Sequence, residues 1–217
     1  MLYFGSFNPV HRGHVAVAEY ALDRGLADMV VMVVSPQNPF KDEKGLAPGH
    51  ERFEMAERAA ARSRFPHRIQ ASAVEMTLPV PSYTIDTLRH LAELMPEARF
   101  SILVGGDNAS TLTRWREAEA ILNNYPIYVY PRPGDDRAGF PAGVTVLDDA
   151  PGMEISSTAV RELLESGREH FRARRMGDAA NDFARAAELS PWCLEATGYL
   201  EMIDEIQSYR NTDLINP

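Results

Sequence analysis

Two histidines, His11 and His14, lie three residues apart at the start of a helical pattern near the N-terminus. A turn containing Gly5 and Ser6 precedes them, and Gly13 lies between them. Backbone N–H groups at such a turn and at a helix N-terminus point toward a bound anion. Histidine donates from either ring nitrogen, and its pKa of about 6.5 lets a phosphate stabilise the charged form. The pattern therefore fits phosphoryl or nucleotidyl transfer, in which developing phosphate charge is stabilised. A solvated helix start with two incidental histidines is the alternative.

A second helix start that is rich in hydroxyl groups occurs much later, in the segment ISSTAVR (155–161). Ser156, Ser157 and Thr158 are good helix caps, and Arg161 follows one turn inside the helix. Capping accounts for one serine, but not for three hydroxyls together with an arginine. This segment is therefore predicted to be a second anion-binding helix start.

The elements that must position these residues alternate between strands and helices. Predicted strands cover residues 2–4, 29–34, 69–74, 100–104, 127–130 and 144–147, and helical patterns cover 13–24, 50–63, 84–95, 114–122 and 156–166. Continuously apolar runs such as MVVMVV are typical of strands buried on both faces. The predicted fold is α/β, a parallel sheet with helices on both faces. Ligands of such folds bind at the carboxyl ends of the strands.

The alternation of strand and helix patterns ends after Gly167. Residues 168–217 carry helical patterns broken at Ser190-Pro191, so we divide the chain into domains 1–167 and 168–217. Part of this all-helical C-terminal extension is similar to one tetratricopeptide helix, but solenoids need about three repeats. We interpret it as a helical hairpin docked on the main domain or on another subunit, with a homo-oligomer as one expected consequence.

Composition excludes several classes of protein. The 217 residues are 45 % apolar and 24 % charged, which is ordinary for a globular chain. No apolar run approaches the roughly 18 residues of a membrane span, and no secretory leader is visible. The net charge of −9 argues against nucleic-acid binding, although a small anionic ligand needs only a local cluster of cations. The single cysteine, Cys193, indicates a reducing, cytoplasmic setting.

The two helix starts resemble the signatures of the nucleotidylyltransferase superfamily. The run His11-Arg12-Gly13-His14 resembles its HxGH motif, GSFNP resembles its phosphate-binding turn, and ISSTAVR resembles its ISSTxxR motif. Between them lie PQNPFK (36–41), PSYTIDTL (81–88), LVGGDN (103–108), RW (114–115) and YPRPG (130–134). Their order is similar to that of bacterial nicotinate-nucleotide adenylyltransferases. The resemblance covers residues 1–167, and the extension departs from it.

The resemblance implies a Rossmann-like fold and a defined reaction, in which ATP and nicotinate mononucleotide give nicotinate adenine dinucleotide and pyrophosphate. It implies Mg²⁺ carried by the ATP phosphates. The implied catalytic residues are His11, His14 and Arg161. The implied ATP-binding residues are Gly5, Ser6, Phe7, Gly13, Lys41, Gly105, Asp107, Arg132, Ile155, Ser156, Ser157 and Thr158. The implied mononucleotide-binding residues are Asn8, Arg52, Tyr83, Thr84 and Trp115.

Several of these residues keep a structural alternative when they are taken from the sequence alone. Lys41 and Arg52 fit either a phosphate contact or a solvated surface. Asp107 fits either a ribose contact or a helix cap, and Trp115 either a platform for the pyridine ring or core packing. Arg132 fits either a nucleotide contact or a structural turn.

Two other functions remain open at this point. One keeps the chemistry and changes the substrates, to nicotinamide mononucleotide, phosphopantetheine or a cytidylyl transfer. The other is a non-catalytic nucleotide-binding module whose helical extension recruits a partner protein. The SYTIDTL and RW segments favour nicotinate mononucleotide, and the presence of both signature motifs favours catalysis.

Overall fold

A computed structural model describes residues 1–36, 45–79, 81–132, 134–152 and 155–213. The chain forms two compact units. Unit 1 comprises Met1–Asn8 and Gly13–Glu154, and unit 2 comprises Pro9–Arg12 and Ile155–Pro217. One helix runs continuously from Ser157 to Arg172, across residue 167. Residues 9–12 group with the C-terminal unit. The division into domains 1–167 and 168–217 stays a prediction.

Unit 1 is built on a six-stranded parallel sheet, which confirms the predicted fold class. The strands are β1 (Leu2–Gly5), β2 (Val30–Val34), β3 (Ile69–Ser72), β4 (Ile102–Gly105), β5 (Ile127–Tyr130) and β6 (Thr145–Val146), in the order β3-β2-β1-β4-β5-β6. The order reverses at β1, and right-handed crossovers on either side of such a reversal put helices on opposite faces. The crevice at the carboxyl ends of β1 and β4 is where this Rossmann-like topology binds ligands.

The strand register brings four strand ends to one edge of the sheet. Gly5, the last residue of β1, pairs with Val34 at the end of β2. Gly105, the last residue of β4, pairs with Tyr130 at the end of β5. The segments that follow β1, β4 and β5 therefore begin at the same edge, and these segments carry most of the predicted ligand-binding residues of unit 1.

The helices and the core follow from the apolar pattern. The first five helices are α1 (Arg12–Asp23), α2 (Gly49–Ala61), α3 (Thr84–Leu94), α4 (Gly106–Ala109) and α5 (Ala118–Asn124). Short 3₁₀ turns occupy Val74–Met76, Leu112–Arg114 and Arg137–Gly139. Ile85, Leu88 and Leu91 recur along one face of α3 and are buried against strand residues such as Val104 and Val129.

Unit 2 contains three helices, α6 (Ser157–Arg172), α7 (Met176–Leu189) and α8 (Leu194–Asp213). The break between α7 and α8 falls at the predicted Ser190-Pro191. A Cβ on Gly167 would lie 2.8 Å from the Phe183 ring, so glycine permits α6 and α7 to pack closely. Phe183 in turn stacks on Tyr199 of α8 with ring centroids 4.4 Å apart. Within the described ranges, no helix is long and apolar enough to cross a membrane.

Candidate active site

The turn after β1 is strained and buried. Phe7 has a φ of 46°, a left-handed conformation that is costly for a bulky residue and is concentrated at functional turns. Its ring covers Gly5, where a Cβ would lie 3.0 Å from Cζ. The ring also packs edge-on against Tyr3 and against His14, with centroids 5.3 and 5.1 Å apart. The strained residue thus holds a catalytic candidate in place.

Both histidines of the HxGH motif are buried. His11 is 2 % exposed and belongs to unit 2, whereas His14 is 8 % exposed and lies in the first turn of α1 in unit 1. Arg12 between them is exposed, and Gly13 is buried. A solvated helix start with incidental histidines would expose the rings, so that alternative does not fit this turn.

Asn8 connects the turn after β1 to the backbone of residues 45–47. Its Nδ2 donates to the carbonyl of Gly45 at 2.9 Å, and its Oδ1 accepts from the N–H of Ala47 at 3.1 Å. The carbonyl of Ala47 accepts from Nε of Arg52 at 2.9 Å. Asn8 and Arg52 therefore fix Ala47 from both sides of its backbone.

Arg52 uses its guanidinium to bind backbone carbonyls. Nη1 donates to the carbonyls of Ser6 at 2.6 Å and Ser35 at 2.7 Å, and Nη2 donates to that of Pro36 at 2.9 Å. The side chain is 1 % exposed, and this burial lowers the pKa of the guanidinium. Because the planar fork holds the segments after β1 and β2 together, the structure shows an organising role. Its predicted role as a mononucleotide ligand stays a prediction.

The three hydroxyls of the ISSTAVR segment have three different hydrogen-bond partners. Oγ of Ser156 accepts from the N–H of Ala159 at 3.1 Å and caps α6. Oγ of Ser157 donates to the carbonyl of Pro9 at 3.0 Å, within unit 2. Thr158 is exposed, and its Oγ1 accepts from Nη2 of Arg161 at 3.0 Å. The start of α6 therefore contacts the segment that leads to His11, whereas capping alone would account for Ser156 only. Ile155 precedes this start and is half-buried.

The two glycines after β4 permit very close packing. A Cβ on Gly105 would lie 3.0 Å from the hydroxyl of Tyr130, and a Cβ on Gly106 would lie 1.9 Å from Oδ2 of Asp135. The same Oδ2 accepts from the N–H of Arg132 at 2.6 Å. Asp135, which is bonded to Arg132 after β5, therefore packs directly on the start of α4, and only glycine leaves room for it there.

A hydrogen-bond chain runs beneath this packing. The hydroxyl of Tyr3 donates to that of Tyr130 at 2.7 Å, and Arg132 donates to the same oxygen at 3.4 Å. Burial raises the pKa of both tyrosines. The Arg132 guanidinium lies 5.7 Å from the Tyr130 ring. Asp107, in α4, is exposed, and its charge acts to raise the pKa of Tyr130. Neither tyrosine stands out from the sequence alone; the tyrosine directly before PRPG was the available signal.

Three of the predicted mononucleotide-binding residues, Tyr83, Thr84 and Trp115, are half-buried. Tyr83 is the N-cap residue of α3, and Thr84 is its first residue. The Arg116 guanidinium lies 5.0 Å from the Tyr83 ring. Trp115 packs against the core and ends the turn, whereas α5 begins only at Ala118. Their contacts with a mononucleotide stay predictions.

A buried carboxylate lies next to this region and was missed from the sequence. Glu75 is 2 % exposed and accepts from Oγ1 of Thr87 at 2.9 Å and from Oγ of Ser82 at 3.4 Å. Burial raises the pKa of Glu75, while hydrogen bonds from Ser35, Thr87 and Ser82 oppose that rise. Glu75 thus ties the turn after β3 to the start of α3. An acidic residue followed by several hydroxyl residues was the available signal, but sequence alone does not distinguish it from a solvated glutamate.

Lys41, the last residue of PQNPFK, lies outside the described residues. Its predicted contact with ATP therefore stays a prediction.

A family model described as cytidylyltransferase-like matches residues 2–163. The chain is also 40 % identical over 165 residues to a "Probable nicotinate-nucleotide adenylyltransferase" of Cytophaga hutchinsonii, covering 76 % of this chain and 84 % of that protein. Proteins of the same name from Flavobacterium johnsoniae and Bacteroides fragilis are 40 % and 41 % identical, each over 77 % of this chain and 86 % or 83 % of their own length.

This chain belongs to the nicotinate-nucleotide adenylyltransferase family. Solved structures agree with its fold. The nicotinic acid mononucleotide adenylyltransferase of Plasmodium falciparum complexed with NaAD matches 75 % of this chain and 82 % of its own with a TM-score of 0.61. The identity is 20 %, so this likeness supports the fold alone. A second structure of that enzyme, complexed with APC, gives a TM-score of 0.60.

The family match does not extend over the whole of unit 2. The matched region ends at residue 163, inside α6, so α7 and α8 lie beyond the part of the chain that the family model describes. The extension is nevertheless in the same unit as residues 9–12, which carry the first histidine of the HxGH motif.

Proposed function

We propose that this chain joins ATP and nicotinate mononucleotide to give nicotinate adenine dinucleotide and pyrophosphate. A phosphate oxygen of the mononucleotide attacks the α-phosphorus of ATP and forms the new P–O bond. The bond from that phosphorus to the oxygen bridging to the β-phosphate breaks, and pyrophosphate leaves with the electron pair. The attacking phosphate is already an anion, so the reaction needs no covalent enzyme intermediate and no protein nucleophile.

The observation that carries the reaction class is the burial of both HxGH histidines, of which His14 packs in unit 1 against the strained Phe7 of the turn after β1. Donors held in a site that excludes water stabilise developing phosphate charge more strongly than donors in solvent. The substrates are supported by the names of the relatives. His11, His14 and Arg161 are proposed to stabilise the charge on the phosphates during transfer.

The remaining predicted residues keep their proposed roles in substrate binding. ATP is proposed to contact Gly5, Ser6, Phe7, Gly13, Lys41, Gly105, Asp107, Arg132, Ile155, Ser156, Ser157 and Thr158. Nicotinate mononucleotide is proposed to contact Asn8, Tyr83, Thr84 and Trp115, with its carboxylate at the N–H groups that begin α3. The contacts of Arg52 support an indirect role, through the backbone segments that it holds.

Mg²⁺ is proposed to enter with ATP. In the ranges that the structure describes, no three or more His, Cys, Asp and Glu side chains group into a metal site. Mg²⁺ usually binds through phosphate oxygens and water. Carried by ATP, it would supply neutralisation of charge on the pyrophosphate leaving group, and His11, His14 and Arg161 are proposed to stabilise the charge on the phosphates.

Two further proposals concern the setting of the enzyme. The cytoplasm is the proposed compartment, and the single cysteine, Cys193, supports it because the chain has no partner for an internal disulfide. Self-association through the extension is a proposal that light scattering of the full chain tests.

The experiment that tests the function measures pyrophosphate release from ATP with a panel of acceptors. The panel holds nicotinate mononucleotide, nicotinamide mononucleotide, phosphopantetheine and FMN, with CTP as an alternative donor. We expect the highest kcat/KM for ATP with nicotinate mononucleotide. Preference for another acceptor or for CTP would overturn the substrate assignment, and no release with any pair would favour a non-catalytic nucleotide-binding module.

A further inference from the structure

The connection between α7 and α8 hydrogen-bonds the segment that precedes His11. Oγ of Ser190 donates to the carbonyl of Val10 at 2.6 Å. The preceding carbonyl, that of Pro9, accepts from Oγ of Ser157 at 3.0 Å. Two serine hydroxyls, one from the ISSTAVR segment and one from the extension, therefore hold two consecutive carbonyls directly before a catalytic candidate.

This contact is buried on both sides. Ser190 and Val10 are 0 % exposed. A buried carbonyl that loses its donor has no water to replace it, so the Ser190 hydroxyl determines where this backbone can lie.

Ser190 is itself held in a fixed position. Its N–H donates to the carbonyl of Ala186 at 2.8 Å, and its own carbonyl accepts from the N–H of Cys193 at 3.0 Å. The neighbouring Trp192 and Cys193 are buried. The connection that carries the Ser190 hydroxyl is therefore rigid. A residue can position another one only when its own side chain is held in place.

We propose that Ser190 is a positioning residue for His11, and that the helical extension is an integral part of the catalytic centre. The proposal rests on the function proposed above. Under the alternative, the extension is a separate module attached to a complete enzyme, and the hydrogen bond to Val10 serves stability alone.

The two alternatives differ in the kinetic constants that they affect. If Ser190 positions His11, its loss misplaces a group that acts on charge in the transition state, so kcat falls while the KM values change little. We expect Ser190→Ala to lower kcat about tenfold, with both KM values within about twofold of wild type. Ser190→Cys keeps a weak hydrogen-bond donor of similar size, so we expect its kcat to lie between those of wild type and Ser190→Ala.

The chain offers a matched control in the same unit. Oγ of Ser166 donates to Oδ2 of Asp182 at 2.6 Å and so joins α6 to α7. This hydrogen bond does not involve residues 9–12. Ser166→Ala removes the same kind of hydroxyl from the extension. We expect it to lower the melting temperature without lowering kcat by more than about twofold.

A double-mutant cycle with His11→Ala tests the coupling directly. If Ser190 acts through His11, Ser190→Ala has little further effect on kcat in the His11→Ala background. An equal loss of kcat in both backgrounds, or an unchanged kcat in Ser190→Ala, would overturn the proposal. So would an equal loss of kcat in Ser166→Ala and Ser190→Ala at matched melting temperatures.

Amide hydrogen exchange gives a measurement that does not depend on the substrates. We expect exchange at His11–Gly13 to become faster in Ser190→Ala than in Ser166→Ala, because only the first variant releases the Val10 carbonyl. Unchanged exchange there would contradict the proposed positioning. If exchange is faster in Ser190→Ala as expected but the wild-type protein is inactive with nicotinate mononucleotide, the positioning stands and the proposed function fails.

Discussion

The hydroxyl of Tyr3 donates to the hydroxyl of Tyr130 across the buried centre of the sheet, at 2.7 Å. Tyr3 also packs against Phe7, and Tyr130 accepts from Arg132, so this pair connects the turn after β1 with the turn after β5. These turns carry residues proposed to bind ATP. The pair therefore offers a direct way to measure how strongly the two turns are held together.

Tyr130→Phe is expected to lower the free energy of unfolding by about 1–3 kcal/mol, because the buried Tyr3 hydroxyl loses its acceptor. The double variant Tyr3→Phe with Tyr130→Phe is expected to be destabilised less than the sum of the single changes, since it leaves no unpaired hydroxyl of this pair. Urea unfolding of the four proteins measures both quantities. Strict additivity would show that the hydroxyls are not coupled.

His14→Ala is expected to lower kcat/KM several hundred-fold, because removal of one preorganised donor costs about 2.7–4 kcal/mol in the transition state. The matched control is Arg12→Ala, which removes an exposed side chain of the same motif. Pyrophosphate release measures both variants. Retention of most of the turnover by His14→Ala would show that this histidine does not stabilise phosphate charge.

Arg52→Lys is expected to destabilise the protein by about 2 kcal/mol or more, because a lysine cannot reproduce the fork that binds four backbone carbonyls. We also expect a raised KM for nicotinate mononucleotide, since Arg52 holds Ala47, whose N–H donates to the proposed mononucleotide ligand Asn8. Urea unfolding and steady-state kinetics separate the two effects. A raised KM at unchanged stability would instead identify Arg52 as a direct ligand.

Much of this architecture follows from the sequence, and the exceptions have one physical cause. The alternation of apolar runs and helical patterns predicts β1 to β6 and the helices, because local periodicity determines which face of an element is buried. Arg52 and Glu75 could not be understood in the same way, since their surroundings come from segments distant in sequence. Arg52 binds carbonyls after β1 and β2, and Glu75 accepts from residues that begin α3.

The grouping of residues 9–12 with the C-terminal unit does not follow from the sequence, for the same reason. Nothing local to Pro9 or Val10 indicates that their carbonyls accept from Ser157 and Ser190. The HxGH and ISSTAVR motifs predicted two helix starts, but not that one serine of the second motif binds backbone near the first.

Glu75→Gln is expected to change how stability depends on pH. Burial raises the pKa of Glu75 above its ordinary 4.5, so the folded state favours the protonated carboxyl. The stability from this group is complete below pH 4.5 and is lost as the pH rises through the raised folded value. Glutamine does not titrate, so the stability of the variant relative to wild type should increase over that window.

Urea unfolding at several pH values between 4.5 and 8 measures this difference for Glu75→Gln. Glu93→Gln, at an exposed position of the same α3 helix, serves as the control and should keep the wild-type profile. Parallel profiles for wild type and Glu75→Gln would mean that the buried carboxyl stays in one protonation state over this range.

Gly106→Ala is expected to lower the free energy of unfolding by about 1–3 kcal/mol, because its Cβ would lie 1.9 Å from Oδ2 of Asp135. Gly152→Ala is the control, since a Cβ there has no neighbour within 4 Å. We expect weaker ATP binding in the first variant, as the turn that carries Arg132 is displaced. Isothermal calorimetry with a non-hydrolysable ATP analogue checks this, and equal affinity in both variants would contradict it.

The bond between Ser190 and Val10 also has a consequence for biosynthesis. The backbone before His11 is synthesised well ahead of the hydroxyl that holds it, because Ser190 is added 180 residues after Val10. Contacts between such distant segments form late, after the nearer ones. If Ser190 positions His11 as proposed, a nascent chain that already contains both nucleotidylyltransferase motifs would gain full activity only when the connection after α7 has emerged.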